Sequence, residues 1–266
     1  MRDIQGQPDH RRINIRKVGI KNISYPVKVL DRARRSQRTV ATVNMYVNLP
    51  HHFKGTHMSR FVEILNRFHG EIDLESFPRI LEEMKQRLQA EAAHLEIEFP
   101  YFVSEDPQTG RPTAAGPDGI GLSEYRCRMH GSLADRDELT LEIRIPIAPP
   151  KAPVHCSGLP RSLGHWGYAE IALQFRRFVW IEEIIELAAA VTRHDVCWPS
   201  PDQPAGGDPD ADRGECALAV ENLAKALGRK LKQHPDIRCF SVRVENLAAG
   251  FNTFATINHT APKNHD

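Results

Sequence analysis

The stretch Thr39-Val40-Ala41-Thr42-Val43-Asn44-Met45-Tyr46-Val47-Asn48-Leu49-Pro50 decides the fold class. Ala41, Val43, Met45, Val47 and Leu49 alternate with Thr42, Asn44 and Asn48. Successive side chains of a strand point to opposite faces, so this is a half-buried strand, and Pro50 ends it. The period then changes to that of a helix. Residues 58–68 set Phe61, Leu65 and Phe68 on one stripe, flanked by Val62 and Ile64. Residues 74–95 repeat the pattern through Phe77, Ile80, Leu81, Met84 and Leu88. Thr56 or Ser59 suits the cap of the first helix and Asp73 that of the second. Strands return at residues 95–101, 125–129 and 139–147, with the one-sided alternation of an antiparallel sheet. The Pro- and Gly-rich residues 104–121 read as a long hairpin loop.

After a Pro-rich stretch at residues 149–163 the same order runs again. A strand passes through Tyr168, Glu170, Ala172 and Gln174, and a helix covers residues 179–191. A second helix at 215–231 precedes strands at 237–246 and 251–257. The expectation is an α+β chain of two tandem units, residues 1–148 and 149–266, each an antiparallel sheet with paired helices on one face. Free sheet edges call for further pairing between units or chains. The first forty residues are basic and irregular, with Arg32, Arg34, Arg35 and Arg38 diluted by Asp3, Asp9 and Asp31. They read as a solvated arm or an interface strand.

Composition narrows the function classes. Across 266 residues, 35 Lys+Arg stand against 34 Asp+Glu, a net charge of +1. That balance provides no general field for nucleic acid. No run of eighteen apolar residues marks a membrane span, and the polar residues 1–12 lack the apolar core of a secretory signal. The cysteines, 127, 156, 197, 216 and 239, are odd in number and scattered, which points to a reducing, cytoplasmic setting.

Four places carry candidate chemistry. Lys54-Gly55-Thr56-His57-Met58-Ser59-Arg60 stands at a helix mouth, where free N–H groups and two cations suit an anion. A capped helix start with surface cations accounts for it equally well. His155, Cys156 and His165 put two imidazoles and a thiol in one loop, a donor set for zinc, although the spacing matches no standard finger. His194-Asp195-Val196-Cys197 follows a helix, where a histidine complements the helix dipole without any ligand. Carboxylates such as Glu182, Glu183 and Glu221 on amphipathic helices ordinarily face solvent.

Several of these residues carry a family likeness. The run Lys54–Glu63, preceded by Leu49-Pro50, resembles the signature of prokaryotic type IB GTP cyclohydrolase. So does the opening Asp3-Ile4-Gln5 with Asp9 and Arg11 downstream, and Phe178-Val179-Trp180-Ile181-Glu182-Glu183, Val220-Glu221 and Val244-Glu245-Asn246 are similar to later landmarks, in the right order over nearly the whole chain. The resemblance implies a tunnelling fold assembled as a homotetramer, with GTP as substrate. The implied reaction converts GTP and water to 7,8-dihydroneopterin triphosphate and formate, the first step toward folate. It also implies a divalent metal ion (zinc, manganese or iron) that activates the attacking water. By position Glu221 would read the guanine edge, and Lys54, His57 and Arg60 would meet triphosphate or ribose. Catalysis would fall to Cys156 and His165, with His165, Cys156 and His155 as metal ligands.

The chain departs from the family pattern at the metal. Val154 stands where a ligand cysteine is expected, Gln203 where a glutamate is expected, and Gly250-Phe251-Asn252-Thr253 where a histidine-bearing segment is expected. The simplest match therefore keeps His165 and lacks three of four ligands. A tunnelling-fold paralogue that binds a purine or pterin without opening its ring is the alternative.

Overall fold

In the computed structural model, residues 15–32, 35–50, 56–68, 76–104, 122–134, 137–147, 167–192, 220–247 and 250–260 are described. Their elements run in the order strand, strand, helix, helix, strand, strand, twice over. The first set is β1 (Ile15–Asp31), β2 (Arg35–Leu49), α1 (Met58–Arg67), α2 (Ser76–Arg87), β3 (Ala92–Ser104) and β4 (Leu122–Leu133). The second is β5 (Asp137–Ile147), β6 (Gly167–Phe175), α3 (Ile181–Thr192), α4 (Val220–Gln233), β7 (Ile237–Leu247) and β8 (Asn252–His259). The strands are hydrogen-bonded in chain order from β1 to β8, and the registers of β1–β2, β2–β3, β6–β7 and β7–β8 are antiparallel. The chain divides into two compact units, Met1–Phe102 with Arg126–Leu141, and Val103–Tyr125 with Glu142–Asp266.

In the first unit the alternation of β2 becomes burial. Ala41, Val43, Met45, Val47 and Leu49 are all within 1% of complete burial. On β3, Ala93, Leu95 and Ile97 lie opposite Val47, Met45 and Val43 and continue that face. Helix α1 buries Phe61, Ile64 and Leu65, while Val62 is exposed. The buried stripe is thus turned from the expected one, since Ile64 belongs to it and Phe68 ends the helix. Helix α2 buries Phe77, Ile80, Leu81 and Met84.

Three expectations are decided or changed. Of a solvated arm and a strand for the basic N-terminal stretch, residues 15–31 form a strand, β1, 17 residues long and paired to β2 of the same chain. Its alternation is hidden by a register shift between Ile20 and Ile23, where Asn22 takes a positive φ of 58° and its N–H donates to Asn44 Oδ1. One extra residue moves the apolar set to the other parity, as a bulge does. Second, α2 ends at Arg87 rather than running to residue 95. Gln89 adopts φ 51° and the Ala90 N–H bonds to the Lys85 carbonyl at 2.9 Å, closing the helix. The alanines that follow, good helix formers, are claimed by the β2 ladder instead. Third, the residue capping α1 is His57, not Thr56 or Ser59, and it makes no side-chain cap bond. Asp73, the loop at 105–121 and the boundary at 148–149 lie outside the described residues.

In the second unit, Ala169, Ile171 and Leu173 of β6 lie opposite Val244, Val242 and Phe240 of β7 on the buried face. Helix α4 packs against β7 and β8, and α3 packs against α4. The other face of these strands carries Tyr168, Glu170, Arg243 and Glu245. Among the described residues, no helix is long and apolar enough to cross a membrane.

Candidate functional site

Two helix N-termini and two polar networks hold the chemistry of the described residues. At the entry to α1, His57 is extended (φ −74°, ψ 121°) and its carbonyl accepts the Arg60 N–H at 3.1 Å. The first turn holds no acidic residue, so the positive end of the helix dipole is not offset by a carboxylate there. Thr56, 5% exposed, buries its Oγ1 with no hydrogen-bond partner among the described residues. Arg60 is exposed one turn in. The combination of helix dipole, guanidinium and imidazole suits an anion.

Helix α4 begins differently. Its first turn carries Glu221, exposed at the positive end of the dipole. The adjacent Val220 and Leu223 are buried and set the helix rotation that leaves Glu221 outward. An outward carboxylate accepts paired hydrogen bonds from a ring N–H and an exocyclic amine.

The first network stands on β2 and β3. Tyr46 OH donates to Glu96 Oε1 at 3.0 Å and Asn44 Nδ2 donates to Oε2 at 3.1 Å. The Lys17 ammonium lies 3.4 Å from the Tyr46 ring centroid, and the His94 ring stacks on the same tyrosine at 4.8 Å. Burial acts to raise the Glu96 carboxyl, but the bonds from Asn44 and Tyr46, with Lys17 and Arg128, outweigh it and hold the group below the ordinary carboxylate value. Burial and then the Glu96 bond push the Tyr46 phenol up to about 12. Burial, followed by the Lys17 charge, lowers His94.

The second network repeats these parts on β6, β7 and β8. Tyr168 OH donates to Glu245 Oε2 at 2.7 Å, Arg243 Nη2 donates to the same oxygen at 3.1 Å, and Asn252 Nδ2 donates to Oε1 at 2.9 Å. The Arg144 guanidinium lies 3.6 Å from the Tyr168 ring centroid. The Tyr168 bond is the main reason the Glu245 carboxyl is lowered, with Asn252 and Arg243 adding to it against burial. In each unit a tyrosine before the helix pair bonds a glutamate after it, a cation sits on the tyrosine ring, and an asparagine donates to the carboxylate. A carboxylate held ionised by several donors is a poor proton acceptor at neutral pH. These hydrogen bonds tie β2 to β3 through Tyr46 and Glu96, and β6 to β7 and β8 through Tyr168, Glu245 and Asn252.

The sequence of the chain matches the family model described as "Type I GTP cyclohydrolase folE2" over residues 1–197. It is 40% identical over 260 residues to GTP cyclohydrolase FolE2 of Syntrophobacter fumaroxidans, covering 95% of this chain and 96% of that one. Against GTP cyclohydrolase FolE2 of Pelobacter propionicus it is 46% identical over 192 residues, 70% of each chain. The chain belongs to the type I GTP cyclohydrolase FolE2 family.

Among solved structures, urate oxidase of Bacillus sp. TB-90 aligns with a TM-score of 0.54 at 10% identity, covering 92% of this chain and all of that one. Uricase of Arthrobacter globiformis aligns at 0.52 and 8% identity, covering 94% of each. At that identity the likeness concerns the fold alone, an α+β chain built on antiparallel sheet.

Within this FolE2 chain, His57 and Arg60 stand together at α1 in the first unit, and Glu221 stands at α4 in the second. Lys54, His155, Cys156, His165 and the His194–Cys197 turn lie outside the described residues. Among the described residues no group of three or more His, Cys, Asp or Glu is placed to hold a metal ion. Sequence reading named Glu245 only as a landmark and did not single out Glu96, Tyr46 or Tyr168. Apart from Arg243, two residues before Glu245, their hydrogen-bond partners are 7 to 77 residues away along the chain, so local spacing does not signal the networks. The signal that was present in β2 is the polar run Thr42, Asn44, Tyr46 and Asn48 at positions opposite its buried face.

Proposed function

We propose that this FolE2-family chain is a GTP cyclohydrolase that converts GTP and water to 7,8-dihydroneopterin triphosphate and formate, at the entry to folate synthesis. The observation that carries the reading is family membership over most of the chain, with the Lys54–Glu63 signature intact. In this reading Glu221 accepts hydrogen bonds from the guanine amide and amino group, which its outward place at the head of α4 supports. His57 and Arg60, with Lys54, hold triphosphate or ribose, supported by the uncapped, acid-free start of α1.

Ring opening requires an activated water. The donor set His155, Cys156 and His165, two imidazoles and a thiolate, suits zinc chemically, with manganese or iron as alternatives. A divalent ion held there would lower the pKa of a bound water and make hydroxide at neutral pH. We assign the chain to the type IB branch and to the tunnelling fold, with tandem units at 1–148 and 149–266, a cytoplasmic setting and a homotetrameric assembly. The ends of the strand order, β1 and β8, provide edges for pairing with other copies.

A second reading, a paralogue that binds the purine without opening it, is favoured by one feature. The segment Gly250–Thr253 leads into β8 with a phenylalanine, an asparagine and a threonine and no imidazole. Incubation with GTP and each of several divalent metals, followed by formate release and pterin fluorescence, separates the two. The cyclohydrolase gives both products with at least one metal. GTP binding without turnover under any metal overturns that assignment in favour of the paralogue.

A further inference from the structure

The second unit holds a groove that the reaction above does not use. It lies where α4 packs on β7 and β8, has a volume of about 540 Å³ and is lined by Lys225, Gly228, Arg229, Lys232, Phe240, Ile257, Asn258 and His259. Two features define it. Its floor is apolar and closely fitted: a Cβ on Gly228 would meet Ile257 Cδ1 at 2.1 Å, so the helix backbone comes close enough to β8 that a larger residue would have to turn the Ile257 side chain. Phe240 is nearly buried, and the His259 ring lies 5.2 Å from it.

Its wall is cationic. Lys225, Arg229 and Lys232 follow the i, i+4, i+7 spacing of one helix face, and none of them makes an ion pair among the described residues. The lining contains no carboxylate. A bare inorganic anion would meet the cations and leave the floor wet. A neutral apolar molecule would cover the floor and desolvate unpaired charge, which is costly. A ligand with a flat apolar body and an anionic group satisfies both, and the volume is that of small-molecule sites.

We propose that this groove is a binding site for an aromatic anion, its ring on Phe240 and Ile257 and its charge on Lys225, Arg229 and Lys232. The test uses 1-anilinonaphthalene-8-sulfonate as the probe and the neutral N-phenyl-1-naphthylamine as its uncharged counterpart, both read by fluorescence on the full chain. The unaltered protein binds the sulfonate at least tenfold more tightly than the amine. The double variant Arg229→Glu with Lys232→Glu, at exposed positions of α4, keeps the parent's far-UV circular dichroism and weakens sulfonate binding at least tenfold. Lys230→Glu, on the same helix but outside the groove, changes it less than twofold.

Three results overturn the proposal: equal affinity for the two dyes, a double variant within twofold of the parent, or an equal loss in Lys230→Glu. A change of oligomeric state in the double variant without dye also overturns it, and assigns the groove to contact between copies. Displacement of the sulfonate by GTP makes the groove part of the substrate's own site and overturns it as a separate one. Retention of the dye at saturating GTP identifies a second aromatic anion.

Discussion

Replacing Glu245 by glutamine tests whether the second polar network holds the β6–β7–β8 corner. Each oxygen of this carboxylate is committed: Oε2 accepts from Tyr168 and Arg243, and Oε1 accepts from Asn252. A glutamine places an NH2 on one side or the other, so at least one donor meets a donor. The side chain is 11% exposed, so water replaces the lost bond poorly. A hydrogen bond to a charged group contributes about 1.5–3 kcal/mol, and about 2 kcal/mol is the expected loss. For a chain of this size that lowers the thermal midpoint by roughly 4–8 °C, read by far-UV circular dichroism at pH 7.

The pH dependence carries its own sign. The folded carboxyl is lowered, chiefly by Tyr168, so its contribution is complete above the ordinary carboxylate value. It fades as pH falls through the lowered folded value. Parent and variant midpoints therefore converge in acid, where the parent carboxyl is itself neutral. A midpoint within 1 °C of the parent at pH 7, or a gap that widens in acid, refutes the argument.

Further outcomes follow from the other sites. Glu221→Gln weakens GTP binding by about tenfold to a hundredfold, the loss of one charge-assisted bond; equal affinity by titration calorimetry removes Glu221 from guanine recognition. On the proposal that His165 holds a divalent ion, the purified parent contains one and His165→Ala loses it; no metal in the parent, or equal content in the variant by mass spectrometry, refutes that role. The Tyr46 phenol, raised to about 12 by burial and Glu96, ionises after the ordinary tyrosines. Tyr46→Phe therefore leaves the phenolate absorbance gained near pH 10 intact, and a loss of amplitude there contradicts the network.

Local pattern made much of the fold legible. The alternation in β2 and the helical stripe in α2 are periodic features of contiguous residues, and burial of Met45 and Ile80 follows directly from them. Legibility failed where a distant partner overrode the local signal. The bulge at Asn22 breaks the parity of β1, and only its pairing with β2 shows that Lys17 to Asp31 is strand. The alanines after Arg87 favour a helix by propensity, yet the ladder to Val47 and Met45 makes them strand.

The candidate site divides in the same way. The Lys54–Glu63 run is a contiguous motif that the chain alone placed at a helix start, whereas Glu221, expected within a helix beginning at residue 215, stands in the first turn of α4. The groove along α4 could not be read so, because its cations are local but its floor comes from β7 and β8. The networks around Glu96 and Glu245 are likewise properties of strand register, since Tyr168 and Glu245 meet only because β6 and β7 pair. The sequence by itself thus determined the α+β alternation of strands and helices, the buried faces of β2 and α2 and the family signature, each written within a few turns of chain. Tertiary structure alone decided which carboxylates are locked by donors and which cations share an apolar floor, because those energies arise between residues that only the folded sheet makes neighbours.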